Sequence, residues 1–400
     1  VPDFFAKRFH DKNNVITALS ALVIIIFFIP YTASGFAACG KLFNSLFGIN
    51  YQVAMMLSAL LIVGYTITGG FNAVCVTDLV QSIVMTGALA IVLIYGISRA
   101  GGWTAVMDNA AALPGYLSLT STFDVASGSE VKYNFLTIFS TAAWGLGYFG
   151  MPHILVRFMA IEDEKKLVLS RRIASVWVVI AMTAGVLIGI VGLGMTKAGA
   201  LETLTGSNSE TIIVRIAGII SQHNALTALI AGIILAGILA ATMSTADSQM
   251  LAAASGVSQN IVHDFLKIKI SEKTNLLIAR LTIVGIAIVS IFLARNPDSS
   301  VFKIVSFAWA GFGGAFGAVV LCSLFWKRCN LAGAIAGIIS GGATVFIWKY
   351  LIRPLGGILY IYELLPAFIV SLIFIIVVSL LTKAPDEEIV REFEAAGKKA

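Results

Sequence analysis

Charge is what this chain has least of. Aspartate, glutamate, lysine and arginine make up 12% of its 400 residues, against 58% hydrophobic residues. Soluble domains carry roughly twice that charged share, so water is excluded as the main solvent of the fold. Paired cysteines are missing as well. Cys39, Cys75, Cys322 and Cys329 show no metal-ligand spacing, and three lie in or beside apolar runs, where a small packing role accounts for them. His10, His153, His223 and His263 are scattered, with neither a nucleophile constellation nor a metal motif around them, which argues against an enzyme. Nucleic acid is not an expected partner either. The net charge of +6 comes from basic residues in short loops between apolar runs, where the positive-inside rule explains them.

What is present is lipid-soluble sequence. Mean hydropathy is +0.93, and about ten stretches approach the ~20 apolar residues a spanning helix needs: 14–38, 52–69, 72–98, 134–159, 170–196, 224–252, 274–295, 303–326, 331–352 and 362–382. Basic clusters alternate along them. Lys7, Arg8 and Lys12 precede the first span, Lys165, Lys166, Arg171 and Arg172 follow the fourth, Lys267, Lys269 and Lys273 the sixth, and Lys327 and Arg328 the eighth. This bias predicts a multi-pass protein of the plasma (inner) membrane with both ends of the chain cytoplasmic. The expected layout is a cytoplasmic loop over 1–13, a transmembrane domain over 14–383 and a charged, partly helical cytoplasmic tail over 384–400. Outer loops are expected at 100–132 and 199–222, the second carrying a short amphipathic helix from Ser209 to Ser221 with Ile212, Ile213, Ile216 and Ile219 on one face. Val1 opens a polar, basic segment that reads as an internal loop, so an incomplete N-terminus is expected.

The fourth stretch departs from an ordinary span. In AWGLGYFGMPHILVR, Gly145, Gly147, Gly150 and Pro152 predict a broken helix, which a membrane tolerates only where protein or a wet cavity satisfies the freed backbone groups. Trp144 and Tyr148, four residues apart, are placed to wall a small pocket. Two carboxylates lie within spans: Asp78, in GGFNAVCVTDLVQS, and Asp247, in AATMSTADSQ. Ionisable groups at membrane depth point to ion or proton sites, although either could simply line a wet vestibule or cap a break. Around Asp247, the positions of Ala241, Ser244, Thr245 and Ser248 put most of these oxygens on one helical face, suited to a small hard cation. The competing reading is that serine and threonine hydroxyls satisfy themselves on the preceding turn's carbonyls.

Three runs carry a resemblance: WGLGYFGMPHILVRFMA from Trp144, ILAATMSTADSQML from Ile238 and SFAWAGFGGAFG from Ser306. With FIPYTASG from Phe28 and YTITGGFNAVCVTDLVQ from Tyr65, in this order and spacing, nearly the whole chain resembles the sodium/solute symporter family, in particular its sodium/proline members. The resemblance implies an all-α, leucine-transporter-type inverted-repeat fold with substrate and sodium near the membrane centre beside discontinuous helices. It implies that Trp144, Tyr148, Pro152 and Tyr31 line the substrate cavity. It further implies that the Ala241 carbonyl and the Ser244 and Thr245 hydroxyls form half of the main sodium site. Asp78 matches an aspartate tied to sodium coupling, and Asp247 with Ser248 falls where some members hold a second ion, although a carboxylate here replaces their hydroxyl. Family members begin about three spans earlier, and a broken helix among those spans completes both sites.

The function implied is sodium-coupled import of proline by alternating access, with sodium as the coupling ion and no other cofactor. Alternatives are symport of another small solute, such as pantothenate or a sugar acid, and a transporter-like sensory membrane module. The tail after Leu381 is short for an output domain.

Overall fold

A chain in lipid must close its backbone hydrogen bonds within itself. The computed structural model, which describes residues 1–399, is accordingly helical apart from one short hairpin. In order, α1 is Pro2–Arg8, α2 Val15–Phe47, α3 Tyr51–Arg99 and α4 Trp103–Ala111; strands β1 (Ser121–Asp124) and β2 (Ser129–Lys132) pair antiparallel. Then come α5 (Phe135–Ala142), α6 (Trp144–Gly147), α7 (Pro152–Met159), α8 (Leu167–Lys197), α9 (Ile212–Ser221) and α10 (Ala225–Ser255). The chain continues as α11 (Glu272–Ala294), α12 (Val301–Phe312), α13 (Ala318–Phe325), α14 (Leu331–Ile347), α15 (Leu364–Leu381) and α16 (Glu387–Lys399). Ala400 of the tail lies outside the described residues. Side chains of Asn50, Asn134, Asn224, Ser271, Ser300 and Asn330 accept first-turn N–H bonds and so start α3, α5, α10, α11, α12 and α14.

Among the described residues, nine helical stretches are long and apolar enough to cross a membrane. The α3 run supplies two, Tyr51–Gly69 and Ala73–Arg99, because 49 residues at the helical rise amount to ~74 Å, more than twice the hydrocarbon core. The tenth expected span, 134–159, is not among the nine. It is the glycine-broken stretch, divided into α5, α6, a 3-10 turn at Tyr148–Gly150, and α7. The segment 100–132, read from the sequence as an outer loop, holds α4, β1 and β2. On α9, Val214, Ile216, Ala217 and Ile220 form the buried stripe, so of the four isoleucines expected there only Ile216 is fully covered. A segment apolar nearly all round leaves its inward face to tertiary packing.

The core centres on the stretch Val301–Phe325, 72% of whose apolar segment is buried against 17% for that of Ala73–Arg99, which faces outward along much of its length. Phe27, Phe28, Phe36, Phe312 and Phe316 are fully buried, and the Phe28 and Phe312 rings lie 4.6 Å apart. A local π-helical turn at Gly313–Gly317 joins α12 to α13 and packs on α14 with almost no side chain between. A Cβ at Gly341 would come within 1.9 Å of the Gly314 carbonyl oxygen, whereas at neighbouring Gly342 it would meet only Ala315, at 3.7 Å.

A polar tie links three elements at the loop preceding α9. Glu210 pairs with Lys41 of α2 at 2.9 Å, accepts from Ser300 Oγ at 2.7 Å and accepts from the Val301 N–H at the start of α12. Partial burial pushes its carboxyl up, but the bonds from Lys41, Ser300 and Val301 outweigh this and hold it below its usual 4.5.

Two outcomes are expected. Gly341→Ala should destabilise the protein by about 1–3 kcal/mol through overpacking while Gly342→Ala is tolerated; equal thermal unfolding temperatures of the two variants in detergent would contradict the contact. A carboxyl held low in the fold contributes stability in full above its unfolded value and loses it as pH falls through the folded value. Protection against hydrogen exchange at 206–214 and 300–303, each rate taken relative to the free-peptide rate at the same pH, should therefore fall on acidification below about 4.5. The fall should be absent in Glu210→Gln, whose protection is already low at neutral pH.

Candidate transport site

Proline cannot donate a backbone hydrogen bond and pushes the preceding residue toward extended geometry. Met151 is accordingly extended, with ψ of 108°, and Pro152 occupies the first turn of α7. Gly147 and Gly150 let the broken stretch settle directly on α12: a Cβ at Gly150 would meet the Phe312 carbonyl oxygen at 2.3 Å, and one at Gly147 the Trp309 indole. That indole donates its Nε1–H to the Trp144 carbonyl at 2.9 Å. A backbone acceptor beside the break is thereby satisfied by a side chain. Trp144 stacks on Phe302 and Trp309, with centroids 5.3 and 5.2 Å apart, and also on Tyr362, while Tyr148 meets Trp309 edge-on at 4.7 Å. Trp144 and Tyr148 thus converge on one indole.

On α10, Ser244 Oγ and Thr245 Oγ1 both donate to the Ala241 carbonyl, at 3.2 and 3.1 Å. Three oxygens are gathered on one turn, with the hydroxyls satisfied as the competing sequence reading foresees. Ala241 and Thr245 line a cavity of about 190 Å³ between α2, α10 and α12, together with Tyr31, Ser34, Thr242 and Gln249. A second cavity, of about 470 Å³, includes Trp144, Lys41 and Glu210, and shares Ala38, Val301 and Val305 with the first. Pro152 is buried at the start of α7, and neither Pro152 nor Tyr148 lines the Tyr31 cavity.

Asp247 and Ser248 look elsewhere. At 100° per residue Asp247 lies about 240° round the helix from Ala241, and its side chain bonds to α3 while that of Ser248 bonds to α7. Asp247, fully buried, accepts from the Tyr65 hydroxyl and the Ser248 N–H. Arg157, in the last turn of α7, donates to Asp78 at 2.5 Å, to Ser248 Oγ at 2.8 Å and to Cys75 Sγ at 2.9 Å. The expected single oxygen face of α10 is therefore divided between a cavity wall and a charge cluster.

Sequence reading overlooked Arg157, Tyr65, Gln249 and Trp309. Arg157 could have been noticed as a cation near the end of an apolar stretch that also carries the break. Trp309 stood within the glycine-rich run from Ser306, where nothing local marks it as the partner of Trp144. Tyr65 and Gln249 carried no signal beyond being polar groups in spans.

Comparison with known proteins defines the class. The family model described as sodium:solute symporter family matches residues 1–341. The osmoregulated proline transporter OpuE of Bacillus subtilis is 39% identical over 393 residues, covering 98% of this chain and 76% of that protein. The sodium/proline symporter of Staphylococcus aureus is 38% identical over 391 residues, covering 96% and 73%. A solved structure of a Na+-coupled sialic acid symporter, in a substrate-bound outward-open state, superposes with a TM-score of 0.74 at 19% identity, covering 96% of this chain and 78% of that one. The protein is a multi-pass membrane transporter with the leucine-transporter-type fold. It belongs to the sodium:solute symporter family, and is thus a sodium-coupled solute symporter rather than an enzyme.

Removing one member of the Arg157–Asp78 pair strands the other in a half-buried site. Arg157→Gln should cost about 1.5–3 kcal/mol, and adding Asp78→Asn should recover part of that loss. Thermal unfolding of both single variants and the double variant checks it; purely additive losses would mean that the two groups do not interact.

Proposed function

We propose that the protein imports proline together with sodium by alternating access. The observation that carries this reading is the 38–39% identity, along nearly the whole chain, to proteins described as an osmoregulated proline transporter and a sodium/proline symporter. The aromatic groups near the break are consistent with it: Trp144, Tyr148 and Tyr31 offer apolar faces suited to a small ring, and Pro152 holds the break that positions the first two. The Ala241 carbonyl with the Ser244 and Thr245 hydroxyls is assigned to sodium, a hard cation that prefers several oxygens. Asp78 is assigned to coupling, its charge tempered by Arg157, and Asp247 with Ser248 to a second-ion position. Sodium entering with its charge would draw on about 2.3 kcal/mol per 100 mV of membrane potential. Because ion and substrate favour the same state, each raises the other's affinity by one common factor. The basic loops orient the protein in the plasma (inner) membrane with both described ends on the cytoplasmic side.

Reconstituted in proteoliposomes, the full-length protein should concentrate labelled proline only under an inward sodium gradient. Thr245→Val should raise the half-saturating sodium concentration. Trp144→Ala should weaken proline binding by about 1.5–3 kcal/mol through lost apolar burial. A sodium gradient that drives no proline uptake would end the proline reading, and wild-type sodium dependence in Thr245→Val would move the ion elsewhere.

A further inference from the structure

Gln249 lies one helical turn beyond Thr245 on the same side of α10, and it lines the cavity that holds Tyr31, Ala241 and Thr245. Its side chain is fully buried. Thr32 of α2, also fully buried, donates its hydroxyl to Gln249 Oε1 at 3.2 Å, which occupies that end of the amide. The other end of that amide is unanswered: Nε2 has no hydrogen-bond partner among the described residues. Buried donors are nearly always paired, and leaving one unpaired is costly, so an orphaned donor beside an internal cavity implies an acceptor that arrives with the cargo. The cavity lining contains no lysine or arginine, so a carboxylate entering here finds its donors among neutral groups.

We propose that the Gln249 side-chain amide receives the carboxylate of the transported solute and thereby selects a carboxylate-bearing substrate over its neutral counterpart. This rests on the proline reading above and adds the group that recognises one end of the molecule. An amide N–H can donate but not accept, so it pairs with a carboxylate and gives nothing to an ammonium. The bond is charge-assisted, hence stronger than one to a neutral carbonyl. A site built around such a donor discriminates against ligands that leave it unpaired.

Prolinamide keeps the ring and amine of proline and replaces the carboxylate with a neutral amide, which makes it the probe. Competition by proline and by prolinamide against labelled proline is measured at saturating sodium in the full-length protein and in Gln249→Leu and Gln249→Glu. The unaltered protein should prefer proline at least tenfold, about 1.4 kcal/mol. Gln249→Leu should lose that preference, because the charge-assisted bond to proline is the stronger one and proline binding weakens more than prolinamide binding. Gln249→Glu, which sets a second carboxylate against the first, should reverse the preference. Misfolded copies lower the number of sites and leave the ratio of the two competitors untouched, so poor folding cannot imitate the result. An unchanged ratio in both variants, or an equal loss for both ligands, would overturn the assignment and give Gln249 to the amine or to packing. If the unaltered protein binds no proline, the proline reading falls and this assignment falls with it.

Discussion

In a membrane, backbone polar groups away from the surface must find their partners inside the protein, and this one requirement organises the molecule. A helix meets it automatically, which is why nine apolar stretches need no further explanation. The broken stretch after α5 cannot. Its exposed backbone is acceptable because α12 lies against it, with the Trp309 indole bonded to the Trp144 carbonyl and the small residues Gly147 and Gly150 allowing that approach. The same requirement gathers the charges: Arg157, Asp78 and Ser248 come from three helices and answer one another.

Much of this was readable in the chain. Hydropathy located nine of the ten expected spans, six of them to within about three residues at both ends, because burial in lipid demands composition before it demands packing. The break was legible from Gly145, Gly147, Gly150 and Pro152, whose effects on the backbone are local. The oxygen-rich turn of α10 was legible for the same reason, Ser244 and Thr245 both reaching a carbonyl within four residues.

Pairings between distant segments were not legible. Arg157 is 79 residues from Asp78 and 91 from Ser248, and no periodicity connects them. An angular count sets Asp247 about 200° from Thr245, but which neighbour each face of α10 meets depends on where α2 and α3 lie around it. The hairpin of β1 and β2 escaped notice because short exposed strands have little apolar alternation to reveal them.

The gathered oxygens of α10 carry one further implication. Ser244 and Thr245 both donate to the Ala241 oxygen, so their hydrogens are committed while the lone pairs of each hydroxyl remain free to accept. The turn therefore keeps its internal bonds whatever approaches its oxygens. A polar turn that needs no outside partner to be stable imposes no penalty when one departs.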